Sequence, residues 1–170
     1  PRSGPGPIEA AGLRVGLALA EVLSPEVRIK WPNDLYFHDR KLGGILTEAR
    51  WQGDSLHWMV VGIGINVQNE IPAALSDQAT RLAELDPAMT ARSLGKRVAA
   101  AVALVTGLAA PLREEELHAF AARDWLFGRW LVEPVPGYAD GITPTGRLRV
   151  RRADGSVVEA LGSARLEPAS

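Results

Sequence analysis

The chain has 170 residues, with 19 basic and 20 acidic side chains giving a formal charge of -1, and 46% of its residues are hydrophobic. That length supports one good core, or one main domain with a small appendage, and the balanced charge leaves no bulk electrostatic footprint for nucleic acid or a membrane surface. Cysteine is absent and His38, His57 and His118 lie far apart, which excludes a disulfide framework, a thiolate metal site and a histidine-clustered structural metal, and permits a reducing compartment.

The opening PRSGPGP holds three prolines and two glycines and reads as a loop or a cut end. The apolar stretch behind it is broken by Glu9, Arg14 and Glu21, a pattern of neither a signal peptide nor a membrane span. Leu13, Leu17, Ala20 and Leu23 recur at helical spacing, which predicts a helix over 8–23 that Ser24-Pro25 stops. Residues 27–31 alternate as a half-buried strand and end at Pro32. Strands over 34–37 and 41–49, joined by His38-Asp39-Arg40, predict a hairpin. The run LHWMVVGIGINV over 56–67 is rich in Val and Ile and suits a strand covered on both faces.

Residues 68–91 are loop-rich, with a helical turn expected over 78–85. A helix over 93–108 places Leu94, Val98, Val102 and Val105 on one face. A second, over 114–125, carries acidic residues in its first turn, where they complement the helix dipole, and Gly128 follows as a stop. Beyond it short alternating runs over 130–135, 146–151 and 156–161 are punctuated by Pro136-Gly137 and Asp154-Gly155, predicting a small β-barrel or sheet. Trp125, Phe127 and Trp130 cluster at the junction and suggest an inter-domain core.

The segment KWPNDLYFHDRKLGGIL, residues 30–46, sets Gly, Pro, Asn and Asp among strand-like runs that normally exclude them. A two-residue loop at His38-Asp39 pairs Phe37 with Arg40, Tyr36 with Lys41 and Asp34 with Gly43. Asp34 and Lys41 then lie diagonally on one face, roughly 7 to 8 Å apart at their β-carbons, whereas a three-residue loop separates them. In the first register Lys41 is placed to neutralise a carboxylate or phosphate, and Asp34 to hold Mg2+ or accept a proton. A surface ion pair with turn glycines stands as the alternative at even weight. In GIGIN, Gly62 and Gly64 point the same way, so a flat ligand fits against bare backbone and Asn66 continues that face; helix packing on the glycines is the commoner cause.

Together KWPND with its following lysine and glycines, GIGINV, and the tail YADGITPTGRLRV resemble a biotin protein ligase over nearly the whole chain. The resemblance implies an α+β fold: a mixed β-sheet with packing helices, the C-terminal portion of a class II synthetase-like catalytic domain over 1–127, then a small SH3-like β-barrel over 128–170. It implies activation of biotin with ATP and Mg2+ to biotinyl-5′-AMP, and transfer of biotin to a lysine of the biotin carboxyl carrier protein of acetyl-CoA carboxylase. By position, Lys41 matches the lysine that contacts the carboxylate and adenylate, and Asp34 the aspartate tied to metal and acceptor lysine. Asn33 shapes the nucleotide site, Gly43 and Gly44 match a small-residue pair, and Gly62, Ile63 and Gly64 match the strand walling the biotin pocket.

Family members also carry a Ser-Thr-Asn type biotin-contacting run and a glycine-arginine-rich loop before the matching helix. Neither is matched here, so the resemblance implies a chain lacking the N-terminal part of the catalytic domain. It further implies a cytoplasmic protein, no membrane partner, no DNA-binding element in these residues and a homodimer through a sheet edge as the family's oligomer. A lipoate-ligase-like enzyme shares the core, although KWPND with this tail fits biotin better, and a non-catalytic module binding biotinyl-adenylate or carrier protein keeps the same fold.

Overall fold

Helix α1 spans Ile8–Leu23 and lies across a four-stranded sheet. The computed structural model describes residues 8–53, 55–105 and 110–167. The expected apolar positions Leu13, Ala20 and Leu23 are buried, and so are Ala10, Ala11, Val15 and Leu19. The helix needs this wide stripe because it meets the sheet on one side and two further helices on the other. Gly16 lets it approach closely, since a β-carbon there would lie 3.4 Å from Ile45 Cδ1. The opening loop expected over 1–7 falls outside the described residues.

The sheet contains β1 (Arg28–Lys30), β2 (Asp34–Phe37), β3 (Arg40–Gln52) and β4 (Ser55–Ile65), in the order β1-β2-β3-β4. Where a mixed sheet was expected, the pairings between its strands are antiparallel, because each strand returns directly beside its predecessor, and the parallel contacts among the described residues are the single bridges Ile29–Asp124 and Lys41–Ala79. The hairpin turns on His38 and Asp39, with Phe37 opposite Arg40 and Tyr36 opposite Lys41, as expected. A bulge at Leu42 then shifts the register, so Leu35 faces Gly43 and Asp34 faces Gly44, not Gly43. The strand expected over 56–67, covered on both faces, forms over 55–65, and its residues alternate between exposed and half-buried. Among the described residues it has a sheet neighbour on one side only.

The loop after β4 holds two 3-10 turns, Ala73–Leu75 and Leu82–Glu84. Helix α2 runs Ala91–Ala103, capped by Thr90, whose hydroxyl accepts from the Ser93 N–H while Ser93 reciprocates. It buries Leu94 and half-buries Val98 and Val102, but ends before Val105; the stretch expected to reach 108 runs into residues outside the description. Helix α3, Glu114–Ala121, stops short of the expected 125. The chain there turns to bond with β1, Ile29 N–H donating to Arg123 O and Trp125 N–H to Ile29 O.

The C-terminal strands are β5 (Trp130–Glu133), β6 (Gly137–Ile142), β7 (Leu148–Arg151), β8 (Val157–Ala160) and β9 (Arg165–Leu166), ordered β8-β7-β6-β5-β9. Strands β6 and β9 are not among the alternating runs read from the residues, although 138–150 and 162–166 fall in the part that resembles the barrel. Gly137 and Gly141 look like turn residues but sit inside β6 at φ +155° and +82°, with a register shift between Ala139 and Ile142. No pairing closes β8 onto β9 among the described residues, so the antiparallel sheet is open. One apolar cluster runs through both sheets, joining Leu13, Ile29 and Trp31 to Leu131, Leu148 and Val150. The β6–β7 turn seals the joint: Trp31 Nε1–H donates to Gly146 O at 2.8 Å and Leu112 N–H to Pro144 O. A β-carbon on Gly146 would overlap the Glu9–Ala10 backbone. Among the described residues no helix is long and apolar enough to cross a membrane.

Candidate active site

The pairings define a row across the outer face of the first sheet: Lys30 opposite Asp34, Asp34 opposite Gly44, Gly44 opposite Gly64. Direct cross-strand partners share a face, so charge gathers at one end of the row and bare backbone at the other. Lys41 reaches in from the neighbouring pair, its Nζ 2.6 Å from Asp34 Oδ1. The bulge adds to this by putting Gly44, in place of Gly43, on the face that Lys41 and Asp34 occupy. A β-carbon on Gly44 would lie 3.1 Å from Asp34 Oδ1 and 3.7 Å from Lys41 Nζ, whereas one on Gly64 would meet nothing within 4 Å. Gly62, opposite Leu46, extends the open floor.

Several distant segments hold the charged end. Lys41 N–H donates to Gln78 O and its carbonyl accepts from Thr80 N–H, so the backbone of the bulge is clamped by the loop after β4. Asn66 N–H donates to Leu42 O, and its side-chain Nδ2–H to Thr80 O at 3.1 Å. That carboxamide is therefore engaged with the loop rather than offered along the glycine face. Asn33 Nδ2–H donates to Ile45 O at 2.7 Å while Asn33 O accepts from Ile45 N–H, which fastens the WPND turn onto β3. Gly43 serves strand packing, since a β-carbon there would overlap Gly64 O and stand 3.1 Å from Ile65 Cα. Ile63 has the opposite parity to Gly62 and Gly64 and packs against the core.

Lys30 belongs to the same face, although no role was expected of it. Its Nζ is 3.4 Å from Tyr36 Oη and lies 5.3 and 5.7 Å from the ring centroids of Tyr36 and Trp125. Burial pulls the Lys30 ammonium below its ordinary pKa, with Asp34 opposing the shift and Lys41 adding to it. Burial likewise raises the Tyr36 phenol. Trp125, expected in an inter-domain core, packs partly buried against the core cluster, with Tyr36 at 4.5 Å and the Arg129 guanidinium over its ring at 3.9 Å. Phe127 is 64% exposed, and Trp130 packs edge-on against Tyr138. The alternation of residues 27–31 does put Lys30 on the polar face, and that was its only local signal.

Among the described residues no three carboxylates or histidines gather to hold a metal. Asp34 alone would share a magnesium ion with substrate phosphates, which suits an ion usually bound through one or two carboxylates. The face therefore presents a lysine paired with a carboxylate at one end and bare glycine backbone at the other.

Residues 5–66 match the family model described as the biotin/lipoate A/B protein ligase family. The chain is 47% identical over 68 residues to the bifunctional ligase/repressor BirA of Escherichia coli, covering 36% of this chain and 21% of that protein. To the biotin--[acetyl-CoA-carboxylase] ligase of Mycobacterium tuberculosis it is 33% identical over 97 residues, 51% of this chain and 34% of that one. The chain thus spans a fifth to a third of the length of these relatives. The solved biotin protein ligase from Aquifex aeolicus in complex with biotin and ATP superposes with a TM-score of 0.69 at 26% identity, covering 94% of this chain and 72% of that one.

Proposed function

We propose that this chain, whose residues 5–66 belong to the biotin/lipoate A/B protein ligase family, carries the carboxylate-activating face of a biotin protein ligase. The reaction is ATP-dependent formation of biotinyl-5′-AMP, followed by transfer of biotin to a lysine of a biotin carboxyl carrier protein. The carrying observation is the Lys41–Asp34 pair at 2.6 Å, set beside the open glycines of β3 and β4. Its relatives and structural neighbours are biotin protein ligases.

A carboxylate approaching the α-phosphate of ATP is opposed by like charge, so cations must neutralise both partners before the atoms meet. Lys41 takes that position. A magnesium ion, when bound at Asp34, supplies further neutralisation of the phosphates. Asn33 shapes the nucleotide side by pinning the WPND turn, and Gly44, Gly62 and Gly64 with the Ile63 backbone form the wall for the biotin ring. Asp34 then holds the incoming acceptor lysine. Residues 1–127 act as the catalytic portion and 128–170 as an SH3-like unit locked to it through the Trp31–Gly146 hydrogen bond.

Labelled biotin is followed onto a carrier protein with MgATP for the protein and for Lys41→Ala and Asp34→Asn. Lys41→Ala loses adenylate formation severely, by about 100-fold or more, as expected for removal of a preorganised charge. Asp34→Asn weakens the magnesium dependence or the transfer step. Near-normal activity of Lys41→Ala removes that lysine from the site, and labelling by lipoate rather than biotin replaces the substrate assignment.

A further inference from the structure

We propose that Lys30 is a second anion-binding residue of this face, one that takes the oxygens of the nucleotide's terminal phosphates and of the pyrophosphate they become. The inference rests on the ligase function proposed above. Three observations carry it. Lys30 stands at the charged end of the row that continues through Asp34, Gly44 and Gly64. Lys41 is balanced by Asp34 at 2.6 Å, so Lys30 supplies the surplus positive charge of this row. Its ammonium has three donors and one long hydrogen bond, 3.4 Å to Tyr36 Oη, with no carboxylate in ion-pair distance among the described residues.

The surroundings hold that ammonium in place rather than neutralise it. Tyr36 and Trp125 form an aromatic shelf beside it, Arg129 lies over the Trp125 ring at 3.9 Å, and Asp39 accepts from both Trp125 Nε1–H (3.0 Å) and Arg129 (2.7 Å). Desolvating the half-buried ammonium carries a cost that Asp34, itself paired with Lys41, offsets only in part, and a docking anion relieves the rest. Its lowered pKa agrees with that environment.

The chemistry gives such a group a task beside the metal. A carboxylate oxygen of biotin forms a bond to the α-phosphorus as the bond from that phosphorus to the bridging β-phosphate oxygen breaks. The electron pair leaves with pyrophosphate, whose added charge needs a cation separate from the one facing the carboxylate. Lys41 and Lys30 divide these tasks along one edge of the face.

The test compares the protein with Lys30→Met, which keeps an unbranched apolar stem against the aromatic shelf, and Lys30→Arg, which keeps the charge. Binding of magnesium pyrophosphate, MgATP and biotin is measured by calorimetry, with thermal melts alongside. Lys30→Met is expected to bind pyrophosphate and ATP roughly tenfold or more weakly, the loss typical of a charged hydrogen bond. Biotin affinity is unchanged and melting does not fall, since the substitution removes a half-buried charge, and Lys30→Arg restores most of the phosphate affinity. Unchanged pyrophosphate affinity in Lys30→Met overturns the proposal; if the KM for the carrier protein rises instead, Lys30 serves an acidic group of the acceptor. Failure of the unsubstituted protein to bind ATP or biotin overturns the ligase function itself, a result separable from failure of Lys30 alone.

Discussion

Gly43 and Gly44 are adjacent, yet alanine is expected to act oppositely at the two positions. A β-carbon on Gly43 would overlap the Gly64 carbonyl oxygen and press on Ile65 at 3.1 Å (Cα) and 3.2 Å (Cγ1). The obstacle is mainly backbone, so β3 and β4 must part. Overpacking of this kind costs about 1–3 kcal/mol, and the roughly 0.5–1 kcal/mol that alanine gains over glycine in a strand offsets part of it. The net loss is about 1–2 kcal/mol, or a melting shift on the order of 2–8 °C for a chain of this size. At Gly44 the added carbon meets the ends of two side chains, Asp34 Oδ1 at 3.1 Å and Lys41 Nζ at 3.7 Å. Those ends can shift, so Gly44→Ala keeps its melting temperature and instead disturbs the ion pair on the ligand face. Urea titrations and thermal melts, paired with biotin binding, decide the matter. A Gly43→Ala protein as stable as the parent, or a Gly44→Ala protein with full biotin affinity, would refute the division of roles.

Two carboxylates, buried Glu116 and half-buried Asp124, give opposite pH signatures. Arg14 donates to Glu116 at 2.6 and 3.0 Å, and that hydrogen bonding holds the Glu116 carboxyl at about 2, below its ordinary 4.5. Stability from this depressed pKa is present above 4.5 and disappears as pH falls toward 2, by roughly 2–3 kcal/mol. Urea unfolding of Glu116→Gln should show a weaker protein at pH 7 and no such fall. Asp124 is raised by burial from 3.8 to about 6, and its Oδ2 has no partner while Leu126 N–H donates to Oδ1 at 2.8 Å. Its contribution is full below 3.8 and lost as pH rises through 6. Asp124→Asn should therefore be about 1–3 kcal/mol more stable than the parent at pH 7, with the gap closing by pH 4; equal stability at both pH values contradicts the burial argument.

How much of the site was legible depends on how far each determinant lies along the chain. The two-residue turn at His38-Asp39 is local, and from it followed the Tyr36–Lys41 pairing and the meeting of Asp34 with Lys41. The bulge at Leu42 had no local signal. Gln78 and Thr80 bond the Lys41 backbone there, and Asn66 bonds Leu42 O, so the exchange of roles between Gly43 and Gly44 came from a loop more than 20 residues downstream. The Val and Ile of β4 suggested cover on both faces, but composition cannot say how many neighbours a strand has. Gly137 and Gly141 hid β6, because a glycine at positive φ looks the same in a turn and in an irregular strand.

The sequence by itself determined the helices, the hairpin and the gathering of Asp34, Lys41 and the glycines, because periodicity and turn chemistry act over a few residues. Only the tertiary structure decided which face each glycine serves, how Trp31 ties the two sheets through Gly146, and what surrounds Lys30. Asp39 meets Trp125 and Arg129 across 86 and 90 positions of chain. Contacts that long exist only once the core has brought β2 beside the segment leading into β5, and that packing turned an unassigned strand lysine into a cation held at the edge of the site.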